Sequence, residues 1–287
     1  MNQAVTQSLA GRIGILTLLP LSIQELKAST LLNDNVHSVI LSGAYPRIYA
    51  KTIAPEEFYP SYIQSYVERD IRQLVNVENL HTFQRFMQLC AARVGQQLNI
   101  SDLATQCSIA QKTVQSWLSI LEASYIIFLL NPYYKNFSKR IVKTPKLYFY
   151  DTGLACSLLN IRSSEELALS SFRGPLFECL MIADLFKEYF SRGLKAPLYY
   201  WRDANGRLEV DCLVDQGTKL TPIEIKSNEK IDDGYFNNLT KFQEIAESTP
   251  VHNYVLYAGM HKQARTAGTI VGWQMAHELI DLISTSK

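Results

Sequence analysis

The chain has 287 residues, 47% of them apolar, with 28 Lys and Arg against 27 Asp and Glu. That length allows one to three domains of ~100–200 residues each, with enough apolar content for real cores. The balanced charge excludes polyanion binding by bulk electrostatics, so any nucleic-acid contact must come from a local patch. Five cysteines (Cys90, Cys107, Cys156, Cys179, Cys212) are scattered with no C-x-x-C pair. They fit reduced thiols in the cytosol, not a disulfide framework or a zinc site. No signal peptide is visible. The apolar runs 13–21 and 124–130 are too short for a bilayer, which needs ~20 residues, so no membrane partner is expected.

In chain order, residues 11–20 predict a strand. Residues 21–26 open a helix with Ser22 as N-cap and Glu25 three residues on, the capping-box spacing. Residues 42–47 are turn-rich. Residues 59–74 are helical, with Tyr62, Ile63, Tyr66, Val67 and Ile71 at three- and four-residue spacing. A second helix covers 82–94, with Phe83, Phe86, Met87, Leu89 and Cys90 on one face. A short strand is expected at 98–100 and a capped short helix at 101–107. Ser108 is expected to cap the next helix, 110–123, whose Val114, Trp117, Leu118 and Leu121 face inward. Strands follow at 125–130 and 146–150.

Helices joined by a tight turn and followed by two strands make a winged helix-turn-helix. In a DNA-binding version the second helix enters the major groove by its N-terminal turns. Gln111, Lys112, Gln115 and Ser116 point outward there, and glutamine pairs with adenine, lysine with guanine or phosphate. The following stretch carries Lys135, Lys139, Arg140, Lys143 and Lys146 and no acid. Each phosphate it neutralises would add to a salt-dependent affinity. Winged helices also serve as protein-interaction modules, and both readings stay open. Tyr133 and Tyr134 are either base-stacking residues or core and interface aromatics.

The last third holds the chemistry. Gly174 opens a helical run through Phe190 that carries Glu178. Strands are expected at 198–202, around Asp211 and around Glu224, with a turn at Gln216-Gly217 making a β-hairpin. Side chains alternate along a strand, so Glu224 shares a face with Lys226, and Glu209 with Asp211. An aligned hairpin would bring two or three carboxylates and an ammonium to one end of a sheet. Carboxylate oxygens suit Mg²⁺, and a neighbouring lysine could orient a water or stabilise a pentavalent phosphate. An E-x-K pair also arises in any half-solvated strand, so the motif alone is only a hypothesis. A helix at 234–247 and a strand at 252–257 complete the run.

This order of acids and elements resembles the restriction-endonuclease-like PD-(D/E)xK nucleases. The resemblance implies Mg²⁺ or Mn²⁺ on Asp211 and Glu224, with Glu178 matching an acid that the family often carries on the preceding helix. It implies catalytic roles for Asp211, Glu224 and Lys226. Val210 stands where the motif's variable proline would be. A fold can persist without its reaction.

A wider resemblance runs through GRIGILTLLPLSIQEL, GAYPRIY, YIQSYVERDIRQL, PYYKNFSKRIVKTPKLYFYDTGLA, GPLFE, YYWRD and EVD…EIK. These look like the part that follows the Walker B and sensor strands in a prokaryotic family of predicted AAA-type ATPases, which carry a domain of unknown function after the ATPase core. The chain has no G-x-x-x-x-G-K-[S/T] loop and so no phosphate cradle. The resemblance therefore implies a truncated or split gene or an expressed fragment, with no ATP expected. An ATPase subunit or a full-length paralogue would be a partner. Arg12, Arg47 and Arg69 are remnants of nucleotide sensing or ordinary surface arginines.

The expectation is thus a multi-domain α/β chain. Residues 1–80 form an ATPase remnant, 81–160 a winged helix-turn-helix, and 161–287 a restriction-endonuclease-like αβ domain with a mixed sheet. The expected function is a DNA-binding protein with a metal-dependent nuclease-like domain. The alternative is a non-catalytic regulatory module.

Overall fold

Ser22 opens the first helix as its spacing predicts. Its hydroxyl accepts from Glu25 N, and the Glu25 carboxylate accepts from Ser22 N at 2.7 Å. The computed structural model describes residues 14, 16–66, 80–133, 144–203, 205–246 and 252–285, with side chains as far as 281. About half the protein is helical and the rest is built around a mixed sheet.

Among the described residues, four short helices come first: α1 Ile23–Ala28, α2 Val36–Ser42, α3 Pro46–Lys51 and α4 Pro55–Ser65. The expected strand at 11–20 is absent from its described part. Residues 16–19 carry no ladder, and Leu16 and Leu18 are 71% and 91% exposed. An alternating apolar run becomes a strand only with a neighbour to pair with, and none lies beside it among the described residues.

The middle of the chain comprises α5 Leu80–Ala91, α6 Ile100–Cys107, α7 Gln111–Ala123, β1 Ile127–Leu130 and β2 Lys146–Phe149. The two strands pair antiparallel. Val114, Trp117, Leu118 and Leu121 are buried on α7 as expected. Two details differ. Ser108 closes α6 in a left-handed conformation instead of capping α7. The extended residue is Gln97, bridging Lys146, and not 98–100, because Asn99 turns the chain as the side-chain N-cap of α6.

The buried Asp151 ties these parts together. Its carboxylate accepts from Ala44 N at 2.7 Å, Tyr59 Oη at 2.7 Å and Leu154 N at 2.9 Å, the last as N-cap of α8 Thr152–Leu158. Gly153 lets Tyr59 approach, since a Cβ there would sit 2.3 Å from the Tyr59 hydroxyl.

After α9 Ser164–Leu169 comes the long helix α10 Arg173–Ser191. The strands β3 Leu198–Arg202, β4 Glu209–Asp215 and β5 Leu220–Lys226 follow, then a 3-10 turn and α11 Asn237–Ile245. The chain ends with β6 Tyr254–Tyr257, β7 Gln263–Arg265, β8 Gly268–Gly272 and α12 Ala276–Thr285. The sheet order is β3-β4-β5-β6-β8-β7. The β3-β4-β5 pairings are antiparallel, and β5-β6 and β6-β8 are parallel.

One large apolar core runs from Ile23 to Ile280 and takes in α10 together with Ile223 and Ile225 of β5. A smaller core packs Leu239 and Phe242 of α11 against Leu213, Leu220 and Val255. The small sheet is stitched to the large one. Tyr133 N donates to Tyr200 O at 2.8 Å, and Tyr200 N to Asn131 O at 3.0 Å.

Candidate active site

The hairpin aligns the acids as strand periodicity predicts. Cys212 of β4 faces Ile223 of β5. One residue outward, Ile225 N donates to Asp211 Oδ2 at 2.8 Å, which fixes Asp211 between Glu224 and Lys226. Lys226 Nζ donates to Glu224 Oε1 at 2.6 Å. The other oxygen, Glu224 Oε2, has no hydrogen-bond partner, although Glu224 is only 3% exposed. Glu178 joins from α10, near enough for its charge to act on both Asp211 and Glu224.

Electrostatics record the crowding. Asp211 keeps a partly exposed surface yet is ringed by protein atoms. Burial pushes its carboxyl well above the usual range, and Glu224 and Glu178 add to this against Lys146 and the Ile225 N–H. Burial also raises Glu224 against the pull of Lys226, with Glu178 and Glu209 adding. Burial alone would lower Lys226, but its bond to Glu224 more than reverses this, so it stays an ammonium. Like carboxylates in a low-dielectric pocket cannot all ionise without a cation.

The sequence reading overlooked part of this cluster. Lys146, 4% exposed at the start of β2, lies 3.2 Å from Glu178 Oε1 and pairs closely with Glu209. The Tyr148 hydroxyl also donates to Glu178. Lys146 lies 5.5 Å from the Tyr200 ring centroid. Arg202 Nε is 3.4 Å from Glu209 Oε2. Burial pulls the Lys146 ammonium down, and Glu178, Asp211 and Glu209 more than reverse it. Only the fold reveals it: Lys146 heads a strand whose four residues are all buried. A lone lysine in such a strand needs acids to meet it.

Asp211 and Glu224, with the orphaned Oε2, suit Mg²⁺, which is commonly held by one or two carboxylates plus waters and phosphate. Among the described residues, no three or more His, Cys, Asp or Glu side chains are set as a ready-made metal cage. Glu178 is near the pair but held by Lys146 and Tyr148.

Of the residues expected at nucleic acid, Gln111, Lys112 and Gln115 are exposed on the first turns of α7. Gln111 and Gln115 line a groove of about 830 Å³ with Gln97, Asn99 and Thr144. Lys135, Lys139, Arg140 and Lys143 lie outside the described residues, as do Tyr134, Arg12 and Arg69. Tyr133 is 3% exposed and packs edge-on against Tyr199, so it belongs to the join between the sheets and not to a stacking surface. Arg47 is exposed on α3. All five cysteines are free and buried. Among the described residues no helix is long and apolar enough to cross a membrane.

No solved structure matches the chain. Over 223 residues it is 28% identical to an uncharacterized protein of Mycobacterium bovis and to one of Mycobacterium tuberculosis. These matches cover 77% of this chain and 48% of each relative, so the chain spans about half the length of the curated relatives it matches. Residues 33–165 match the family model of a domain of unknown function, DUF8612, and residues 173–275 match that of another, DUF4143.

Proposed function

We propose that this protein binds DNA and carries a metal-dependent phosphodiesterase site of restriction-endonuclease-like build. The observation that carries the reading is the meeting of Asp211, Glu224 and Lys226 on the β4–β5 hairpin, with a buried Glu224 oxygen left without a partner. Buried carboxylate oxygens are normally satisfied, and Glu224 Oε2 lies beside a second acid with no protein donor of its own.

Asp211 and Glu224 would hold the cation. When bound, Mg²⁺ supplies a lowered water pKa and a polarised phosphate. The chain's own groups do the rest. The Ile225 N–H fixes the rotamer of Asp211 and so the direction of its free oxygen. Lys226, steered by Glu224, keeps an ammonium beside the cluster to meet the charge that develops on a phosphoryl oxygen.

The succession α5, α6, α7, β1, β2 supports a winged helix ahead of this site, with Gln111, Lys112 and Gln115 toward the major groove. The basic residues Lys135, Lys139, Arg140 and Lys143 would meet phosphate. DUF4143 domains are often found in AAA-ATPase-associated proteins, which supports a role as the C-terminal part of such a machine. An ATPase subunit or a full-length paralogue would be the partner.

A second reading, a non-catalytic regulatory module, is favoured by the Lys146 ammonium already lodged on Glu178 and Glu209. One experiment separates the two. Purified protein is titrated with Mn²⁺ by calorimetry and assayed on single-stranded, duplex and branched DNA, with Asp211→Asn, Glu224→Gln and Lys226→Ala alongside. The phosphodiesterase reading expects slow cleavage and metal binding. Both should be lost in the acid variants, and Lys226→Ala should keep the metal but lose turnover. No cleavage and no metal binding by the parent would leave the module reading standing.

A further inference from the structure

The cluster contains four carboxylates, and they are not equivalent. Glu178 is held by the Lys146 ammonium at 3.2 Å and by the Tyr148 hydroxyl. Glu209 is held by Lys146 on one oxygen and approached by Arg202 Nε at 3.4 Å on the other. Asp211 has only the Ile225 N–H on Oδ2 among its described hydrogen bonds. Glu224 has Lys226 on Oε1, while Oε2, buried, has no partner. The acids thus divide into a pair ion-paired to a lysine from the small sheet and a pair that this lysine does not hydrogen-bond. An ammonium and a divalent cation compete for the same oxygens and repel each other strongly in a buried setting. Lys146 cannot easily withdraw, because it is 4% exposed and its backbone is bridged on one side by Gln97 and paired on the other with Leu130.

We infer that Lys146 is a built-in cation that removes Glu178 and Glu209 from the metal site. The protein then takes one divalent cation, on Asp211 and Glu224, and the two acids bound to Lys146 stay closed to a second. This inference rests on the phosphodiesterase reading of the same cluster. It makes Lys146 a residue that sets metal stoichiometry, contributed by β2, an element outside the hairpin.

The test is calorimetric titration with Mn²⁺ on the full chain. The parent is expected to bind one Mn²⁺, lost in Glu224→Gln. Glu178→Gln is expected to keep that binding within about twofold, because Glu178 is not a ligand. Lys146→Met keeps the stem and deletes the charge. It is expected to gain a second Mn²⁺ or to bind the first at least about tenfold tighter. The double variant Lys146→Met/Glu209→Gln removes one charge of each sign and, if the single variant folds poorly, is expected to show the tighter first site without the second cation.

Two Mn²⁺ in the parent would overturn the inference. So would loss of binding in Glu178→Gln, or unchanged or weaker binding in both Lys146 variants, even if the parent's single site stood. No Mn²⁺ binding by parent or variants would overturn the phosphodiesterase reading and the inference together. Binding only in the Lys146 variants would overturn the inference as stated, since the native protein would then take no cation at Asp211 and Glu224.

Discussion

A carboxylate that is 3% exposed and half-satisfied is unstable company for another acid. Burial pushes both Glu224 and Asp211 up, Glu178 adds to each, and Glu224 adds to Asp211. Two such acids side by side weaken the fold. We therefore expect Asp211→Asn to keep or raise the metal-free melting midpoint while abolishing the shift that the proposed Mn²⁺ site would give the parent. At a hundredfold excess over Kd that shift corresponds to about 2.7 kcal/mol. A drop in the metal-free midpoint would show that Asp211 is structural.

A second buried acid gives a pH test. Asp184, 1% exposed on α10, accepts from Ile23 N at 2.7 Å, with Lys187, Glu188 and Glu25 around it. Burial raises it to about 7. A raised carboxyl stabilises the fold fully below its unfolded value, ~3.9, and this is lost as pH climbs through the folded value. The melting midpoint should fall from about pH 4 toward about pH 7, and Asp184→Asn should flatten that slope. These residues were only partly legible. The hairpin acids were readable because period-two alternation and a Gly-containing turn set their faces. Lys146 was counted with the basic stretch before it, because no local pattern says that a strand's first residue will be buried under a helix 30 residues on.

Among the elements, those whose ends carry their own signal were legible. The Ser22 capping box and the strands flanking Gly217 are local chemistry. The termini that failed were those decided by competition. Asn99 took the cap expected nearer Ser101, and Ser108 took a left-handed closure, a conformation that polar residues tolerate better than apolar ones. The strand expected at 11–20 fails in its described part because pairing is a tertiary matter. The sharpest element-level prediction concerns the α2–α4–α8 joint. Asp151→Ala would strand two buried backbone donors, Ala44 N and Leu154 N, at ~1–3 kcal/mol each, while Tyr59 keeps Ser42 O as an acceptor, and denaturant melts should show a loss of at least about 2 kcal/mol. Gly153→Ala should also destabilise, since its methyl would meet the Tyr59 ring. On the basic stretch, replacing Lys139, Arg140 and Lys143 by alanine should flatten the salt dependence of DNA binding by about 2.7 in slope if all three meet phosphate. An unchanged slope would make it a solvated loop.

Across the whole molecule, the sequence suggests a division into three stretches, while the large core runs from Ile23 to Ile280 through all of them. Composition shows no seam because the join is made by shape. Lys187 of α10 donates to Leu21 O at 3.1 Å, and Arg192 reaches Asp281 at 2.7 Å. We expect one cooperative thermal transition by calorimetry. Residues 161–287 expressed alone should be aggregation-prone, because α10 would lose its cover. Separate transitions, or a soluble and cooperative fragment, would count against this.

The stitching of the two sheets has a further consequence. The chain is docked on β3 at Tyr133 and returns to the acid cluster at Lys146, with the other basic residues in between. A dozen residues anchored at both ends cannot stray more than roughly 20 Å from their anchors. A phosphate backbone held by Lys139 or Arg140 would thus be tethered within reach of Asp211 and Glu224, at an effective concentration on the order of millimolar. Capture and cleavage would then be linked by leash length: lengthening that stretch with glycine and serine should slow turnover while leaving the strength of DNA binding nearly untouched.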